Sequence, residues 1–257
     1  DTPSPQFINN SRYDFASWSD GGAQSHQITV PAANQSIALT FNLTTSAPQG
    51  LVAAYSFNEG NGSTLYDSSG NNNNGTLSGP IWDGAGKNGG TLLFDGVNDF
   101  VSIADSNSLD LTAGMTMEAW VNPTSHTGSG GWGTVMLKEI PGHLGYALYS
   151  NTDTNRASVH VNIGGDRDTR STSQLPLNTW THLAGTFDGT TLRLYVNGAL
   201  VSSLNISGSA ATSSNPLKIG GNAIWGEWFK GRLDDIRIYN RALSASEIQN
   251  HSNTPVN

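Results

Sequence analysis

Oxygen donors concentrate in one short stretch of the chain, Asp67-Ser68-Ser69-Gly70-Asn71-Asn72-Asn73-Asn74-Gly75. A hard cation such as calcium collects carboxylate, carboxamide and backbone oxygens in flexible loops of this composition. Asp67, Asn72 and Asn74 are therefore candidate calcium ligands. The competing reading is a solvated turn, because Asn and Gly also serve loops that need unusual backbone angles. Asp95 and Asp99, on either side of Gly96, fit local hydrogen bonding in a turn better than a metal.

A second chemistry is recognition of sugars, whose apolar ring faces stack on indoles while planar polar groups take their hydroxyls. Trp132, between glycines, and Trp225 and Trp228, in Ile224-Trp225-Gly226-Glu227-Trp228, stand where a core is hard to build. Loop anchors folding over a sandwich would have the same surroundings. Trp120 and Trp180 sit at strand-like runs and read as packing residues. Polar groups that can converge nearby are Glu139, His143, Tyr146, Asp166, Arg167, Asp168 and Arg170. Arg167 and Arg170 can hold a carboxylate or sulfate of an acidic polysaccharide in bidentate fashion. Their alternation with aspartates equally describes an exposed strand face with screened ion pairs. The histidines His26, His126, His160, His182 and His251 show no zinc spacing and read as structural or surface groups.

Catalytic patterns are missing. Sandwich-fold glycosidases carry carboxylates at alternating positions of one strand, so that acid and nucleophile face the same cleft. No such run occurs: Glu118 and Glu139 are isolated, and Asp234 and Asp235, if extended, face opposite sides. A nucleophile elbow, a zinc helix and a phosphate loop are also absent. A lyase site built from His143, Tyr146 and Arg167 is conceivable, but their spacing does not demand it.

The elements that must position these groups are strands. Only 12% of the 257 residues are charged, glycines number 30, and no cysteine is present. Such a composition suits short strands and polar turns. The net charge of -8 argues against nucleic acid, which requires clustered Lys and Arg. No apolar run reaches the roughly 20 residues of a membrane span. Three strand-like runs, 13–18, 24–30 and 36–43, precede the linker 47–50, and three strands seldom form an independent core. The expected division is a β-segment over 1–46 and one large domain over 51–257. In the latter, at least twelve strand signals occur, with antiparallel hairpins at Asp188-Gly189 and Asn197-Gly198. Ser244 followed by Glu247 predicts a capped helix to His251, anchored by Leu243 and Ile248. The fold class is all-β: a two-sheet antiparallel jelly-roll sandwich with a short C-terminal helix and a small N-terminal β-segment.

Several phrases carry a family resemblance. They include Tyr55-Ser56-Phe57-Asn58-Glu59-Gly60, Leu93-Phe94-Asp95-Gly96, Met117-Glu118-Ala119-Trp120-Val121, Trp180-Thr181-His182-Leu183 and Gly231-Arg232-Leu233-Asp234-Asp235-Ile236-Arg237-Ile238-Tyr239. In this order, across 51–254, they resemble the laminin-G-like, concanavalin A-like jelly rolls of exported bacterial proteins. Phe15-Ala16-Ser17-Trp18-Ser19-Asp20-Gly21-Gly22 is similar to the last strands of small immunoglobulin-like modules. The resemblance implies a secreted or cell-surface protein and frequent calcium. It also implies that Asp234, and less directly Glu59, completes the shell begun by Asp67. The expected function is a non-catalytic, calcium-stabilised carbohydrate-binding module that holds a multidomain parent on a polysaccharide or cell-surface glycan. The alternatives are a structural or adhesive protein-interaction module and, behind it, a lyase or hydrolase of the same fold.

Overall fold

A computed structural model describes residues 6–8, 11–25, 27, 36–46, 48–126 and 131–256. The chain divides into two compact units, Asp1–Gln49 and Gly50–Asn257. In the first, strands Gln6–Ile8, Ser11–Trp18 and Leu39–Ser46 form an antiparallel sheet in chain order. Phe15 lies opposite Phe41, and its ring meets that of Trp18 at 6.3 Å. The strand expected over 24–30 lies largely outside the described residues, as does His26.

The second unit is a sandwich of two eight-stranded antiparallel sheets. The first sheet runs, in spatial order, Ala199–Asn205, Thr191–Val196, Thr181–Phe187, Met115–Pro123, Lys230–Tyr239, Thr91–Asp95 and Ile81–Asp83, with Leu51–Tyr55 also on Lys230–Tyr239. The second runs Asp166–Arg170, Ser158–Asn162, His143–Asn151, Gly133–Ile140, Leu217–Ile219, Phe100–Ile103, Gly75–Ser78 and Thr64–Leu65. Alternation explains the layers. Met115, Met117, Ala119 and Val121 of one sheet and Val159 and Val161 of the other point into a single core. The sheets come so close that a Cβ on Gly185 would lie 2.4 Å from Cγ2 of Val159.

Two irregularities decide which side chains reach the surface. In the pairing of Gly133–Ile140 with His143–Asn151, Lys138 faces Tyr146 but Glu139 faces Leu144, leaving Gly145 as the extra residue of a bulge. Leu144 thereby joins Leu137, Ala147 and Tyr149 in an outer apolar cluster, while Tyr146 and Leu148 belong to the core. In Lys230–Tyr239, pairing slips between Glu118 and Trp120, and Asp235 takes a left-handed φ of 46°. The predicted opposition of Asp234 and Asp235 is corrected by this bulge, which turns both carboxylates to one loop. Asp234 accepts from the backbone N–H groups of Lys87 (2.7 Å) and Asn88 (2.9 Å), and Asp235 accepts from the Asn88 carboxamide.

The C-terminal helix, Ala245–His251, starts as its sequence predicts. Ser244 accepts from the Glu247 N–H, and the Glu247 carboxylate accepts from the Ser244 N–H. Arg241 and Ser244 hold that carboxylate at a pKa of about 2. Among the described residues no helix is long and apolar enough to cross a membrane.

Candidate functional site

The outer face of the second sheet carries a groove of about 450 Å³ lined by Trp132, Leu144, Tyr149, His160, Asp166, Asp168, Arg170, Trp225 and Glu227. Its floor is aromatic. Tyr149 and His160 alternate outward from strands whose other residues fill the core, and their rings meet edge to face at 5.0 Å. Trp132 packs on both, at 5.0 Å and 5.8 Å.

One wall is the edge strand Asp166–Arg170, which pairs on one side only, with Ser158–Asn162. Its alternation sends Asp166, Asp168 and Arg170 to the groove and Thr169 inward, where its hydroxyl meets that of Ser202 at 2.5 Å. Arg170 is held by Asp168 and Asp153, each at 2.6 Å, with its guanidinium 5.6 Å from the Trp132 ring centre.

The opposite wall is the hairpin in which Gly221–Asn222 pairs with Glu227–Trp228. Asn222 accepts from the Trp225 N–H (3.0 Å), and Glu139 accepts from the Ala223 N–H (3.3 Å). These bonds hold the turn, and Trp225 stands 41% exposed at its tip. Glu227 accepts from the Tyr149 hydroxyl (3.0 Å) and the Asn222 carboxamide (2.8 Å). Burial raises the Glu227 carboxyl against the pull of those two donors. Burial also lowers His160 to about 4, with Asp168 opposing and Arg170 assisting, so its imidazole is neutral near pH 7.

Of the residues the sequence proposed for sugar binding, the structure brings Trp132, Arg170 and Trp225 together. The others lie elsewhere, each for a local reason. Tyr146 is corrected from ligand contact to core residue: the Gly145 bulge turns it inward, and its hydroxyl donates to the Leu109 carbonyl (3.0 Å). Trp228 alternates away from Glu227 and stacks on Phe100 at 6.2 Å. Glu139 is buried and positions the Trp225 turn. Arg167 is exposed on the strand face opposite Asp166 and Asp168, and His143 is exposed 3.9 Å from Asp166. Tyr149, His160 and Glu227 escaped the sequence reading. Alternation with Val159 and Val161 already placed His160 on an outer face, and this was the available signal.

In the structure the proposed calcium ligands Asp67, Asn74 and Asp234 accept hydrogen bonds from backbone N–H groups. Asp67 accepts from the N–H groups of Ala54, Ser69 and Asn73 at 2.9 Å and from the Ser69 hydroxyl at 2.8 Å. Asn74 accepts from the Asp67 N–H (2.8 Å), and Asn72 is exposed at a left-handed φ of 59°. Asp234 is filled by Lys87, Asn88 and Asp235 N–H groups. N–H and O–H donors thus surround the Asp67 and Asp234 carboxylates. Glu59 lies apart; its Oε1 accepts from the Tyr66 N–H (2.7 Å) and its enclosed Oε2 has no partner. No group of three or more His, Cys, Asp or Glu placed to hold a metal occurs among the described residues.

Two antiparallel sheets packed face to face with a short C-terminal helix define an all-β jelly-roll sandwich. The chain belongs to the concanavalin A-like lectin/glucanases superfamily, whose laminin G sequence profile matches residues 95–249. It is similar to domain 4 of AbnA, an extracellular arabinanase of glycoside hydrolase family 43 from Geobacillus stearothermophilus, solved in complex with arabinotriose. Identity is 25% and the TM-score 0.67, over 79% of this chain and 98% of that domain. The binding domain of Paraclostridial Mosquitocidal Protein 1 matches at 19% identity and TM-score 0.64, over 79% of this chain and 52% of that one. The botulinum neurotoxin serotype G binding domain matches at 17% and 0.60, over 79% and 50%. The two toxin likenesses are likenesses of fold, and the chain spans about half their length. No curated protein sequence matches.

Proposed function

We propose that the unit from Gly50 onward is a non-catalytic carbohydrate-binding module of an exported multidomain protein, and that its sugar site is the groove between Trp132 and Trp225. The observation that carries this reading is the exposed Trp225 ring above an aromatic floor, with the carboxylates of Asp166, Asp168 and Glu227 available to sugar hydroxyls. Stacking on an indole and acceptance of hydroxyl hydrogens by planar groups are the two contacts a sugar ring needs. The likeness to an arabinanase domain that holds arabinotriose supports the class of ligand. The strands before Gly50 belong, in this reading, to a neighbouring module.

Calorimetric titration of the full chain with arabino-oligosaccharides and a wider neutral and acidic panel tests the proposal. Binding to at least one glycan is expected, with Trp225→Ala weakening it about tenfold or more, since truncating an aromatic anchor of a binding site costs ~2 kcal/mol or more. No new reducing ends are expected in the same mixtures. A blank panel, or a Trp225→Ala variant that binds as the parent does, refutes it.

A further inference from the structure

We propose that this groove takes uncharged oligosaccharides and turns away those bearing uronate, sulfate or sialate groups. The inference rests on the groove being the sugar site and adds to that reading the electrostatic class of the ligand.

The charge inventory of the groove is one-sided. Asp166, Asp168 and Glu227 line it against the single guanidinium of Arg170. That guanidinium is already committed: Nε bonds Asp168, and Nη1 bonds Asp153 and the Thr154 hydroxyl at 3.2 Å. Asp153 brings a further carboxylate beside the rim. Held in this way beside Trp132, Arg170 extends the aromatic wall and has no free fork to offer an incoming carboxylate. His160, the other basic side chain, is buried, hydrogen-bonded to the Ser158 hydroxyl at 2.8 Å, and uncharged. Arg167, which could have attracted an anion, is exposed on the other side of its strand.

The groove thus presents acceptors: Asp166 Oδ2, the outer oxygens of Asp168, and a Glu227 whose Oε2 already takes donors from Tyr149 and Asn222. A neutral sugar supplies hydroxyl donors to such a surface. A sugar carboxylate supplies none and meets a net charge of like sign. Within a Debye length of the bound sugar Asp153, Asp166, Asp168 and Glu227 outnumber Arg167 and Arg170 by two, with His143 3.9 Å from Asp166, and at that excess the penalty for one added negative charge is about tenfold in affinity at low salt.

The test uses the full chain and matched ligands: neutral oligosaccharides that bind, and the same oligosaccharides with primary hydroxyls oxidised to carboxylates. The oxidised forms are expected to bind about tenfold more weakly in low salt, with the gap narrowing at high ionic strength. Asp166→Asn, which removes one charge from the rim, should narrow the gap between neutral and oxidised ligands severalfold. Acidic ligands that bind as tightly as their neutral parents, or a gap that salt and Asp166→Asn leave unchanged, overturn the inference while the sugar-site reading stands. Failure of every glycan to bind overturns both.

Discussion

Replacing Asp67 by Ala measures what that carboxylate does. It serves four donors, of which the N–H groups of Ala54, Ser69 and Asn73 have no other acceptor offered to them, whereas the Ser69 hydroxyl also reaches the Val52 carbonyl at 2.9 Å. Ser69 and Asn73 are almost fully buried, at 1% and 4% exposure. An unsatisfied buried donor costs ~1–3 kcal/mol, and the lower end applies where the loop can relax toward water. Three such groups give an expected loss of about 3 kcal/mol, a large share of a typical domain's stability. Asp67→Asn keeps one acceptor oxygen and turns an amine toward the remaining N–H groups, so it should lose about half as much. Urea unfolding followed by tryptophan fluorescence, at unchanged m-value, reads both losses. Each measurement is made once with calcium and once with a chelator. A carboxylate that holds N–H groups produces the same loss in both. A loss below about 1 kcal/mol would sink the reasoning, and so would a loss that chelator abolishes, which would make Asp67 a calcium ligand.

Two further outcomes follow from buried polar groups. His182 is fully buried beside Glu118, and burial first, then Arg237 and His251, holds it down at about 3. A histidine lowered from about 6.5 in the unfolded chain contributes stability that is present above that value and lost as pH falls toward the folded one. At pH 5 the loss is about 2 kcal/mol, and His182→Phe should recover most of it while changing stability little at pH 7. Asp234, raised by burial to about 6, acts in the opposite sense between about pH 4 and 6, so the variant, compared with the parent by denaturation at both pH values, isolates the histidine. Equal pH slopes would refute this. Tyr146→Phe should cost about 1 kcal/mol through the lost bond to the Leu109 carbonyl and leave glycan affinity unchanged. Tyr149→Phe should weaken binding by freeing Glu227, and titration of the two variants side by side tests the contrast.

The strands were legible because their alternation survives in the sequence, as in Met117, Ala119 and Val121, all on the core side. The helix was legible because Ser244 and Glu247 form a local capping box that needs no tertiary partner. The groove was legible only in part. Trp132 and Trp225 announced themselves by their glycine-rich surroundings, but Tyr146 and Tyr149 look alike in sequence. They stand three residues apart on one strand, so alternation sends them to opposite faces, and the bulge at Gly145, which depends on a neighbouring strand, breaks the match of Tyr146 with Leu144. The hydrogen bonds of the proposed calcium ligands were hidden for a related reason: composition counts oxygen atoms and does not say which backbone N–H groups will reach them. Asp67 is satisfied by residues as far away as Ala54, and Asp234 by Lys87 and Asn88 across more than a hundred residues.

The two outer faces of the sandwich also differ in what covers them. On the first sheet, Leu51, Ala54, Ala184, Tyr195 and Tyr239 are covered by Leu243, Ile248 and Val256 of the C-terminal segment. Polar side chains fasten that cover: Glu118 bonds His251 at 2.8 Å, Asp235 accepts from the Val256 N–H at 3.0 Å, and Arg237 donates to the Thr254 carbonyl. The second sheet's buried cluster of Leu137, Leu144, Ala147 and Tyr149 has Trp132 and Ile224, themselves partly exposed, packed against it. Both clusters are buried, and they differ in what buries them: a capped helix and its tail on one face, two side chains between a hairpin and a charged edge strand on the other. Above the second cluster Trp225 stands 41% exposed, and this indole beside the groove is what that face offers a ligand.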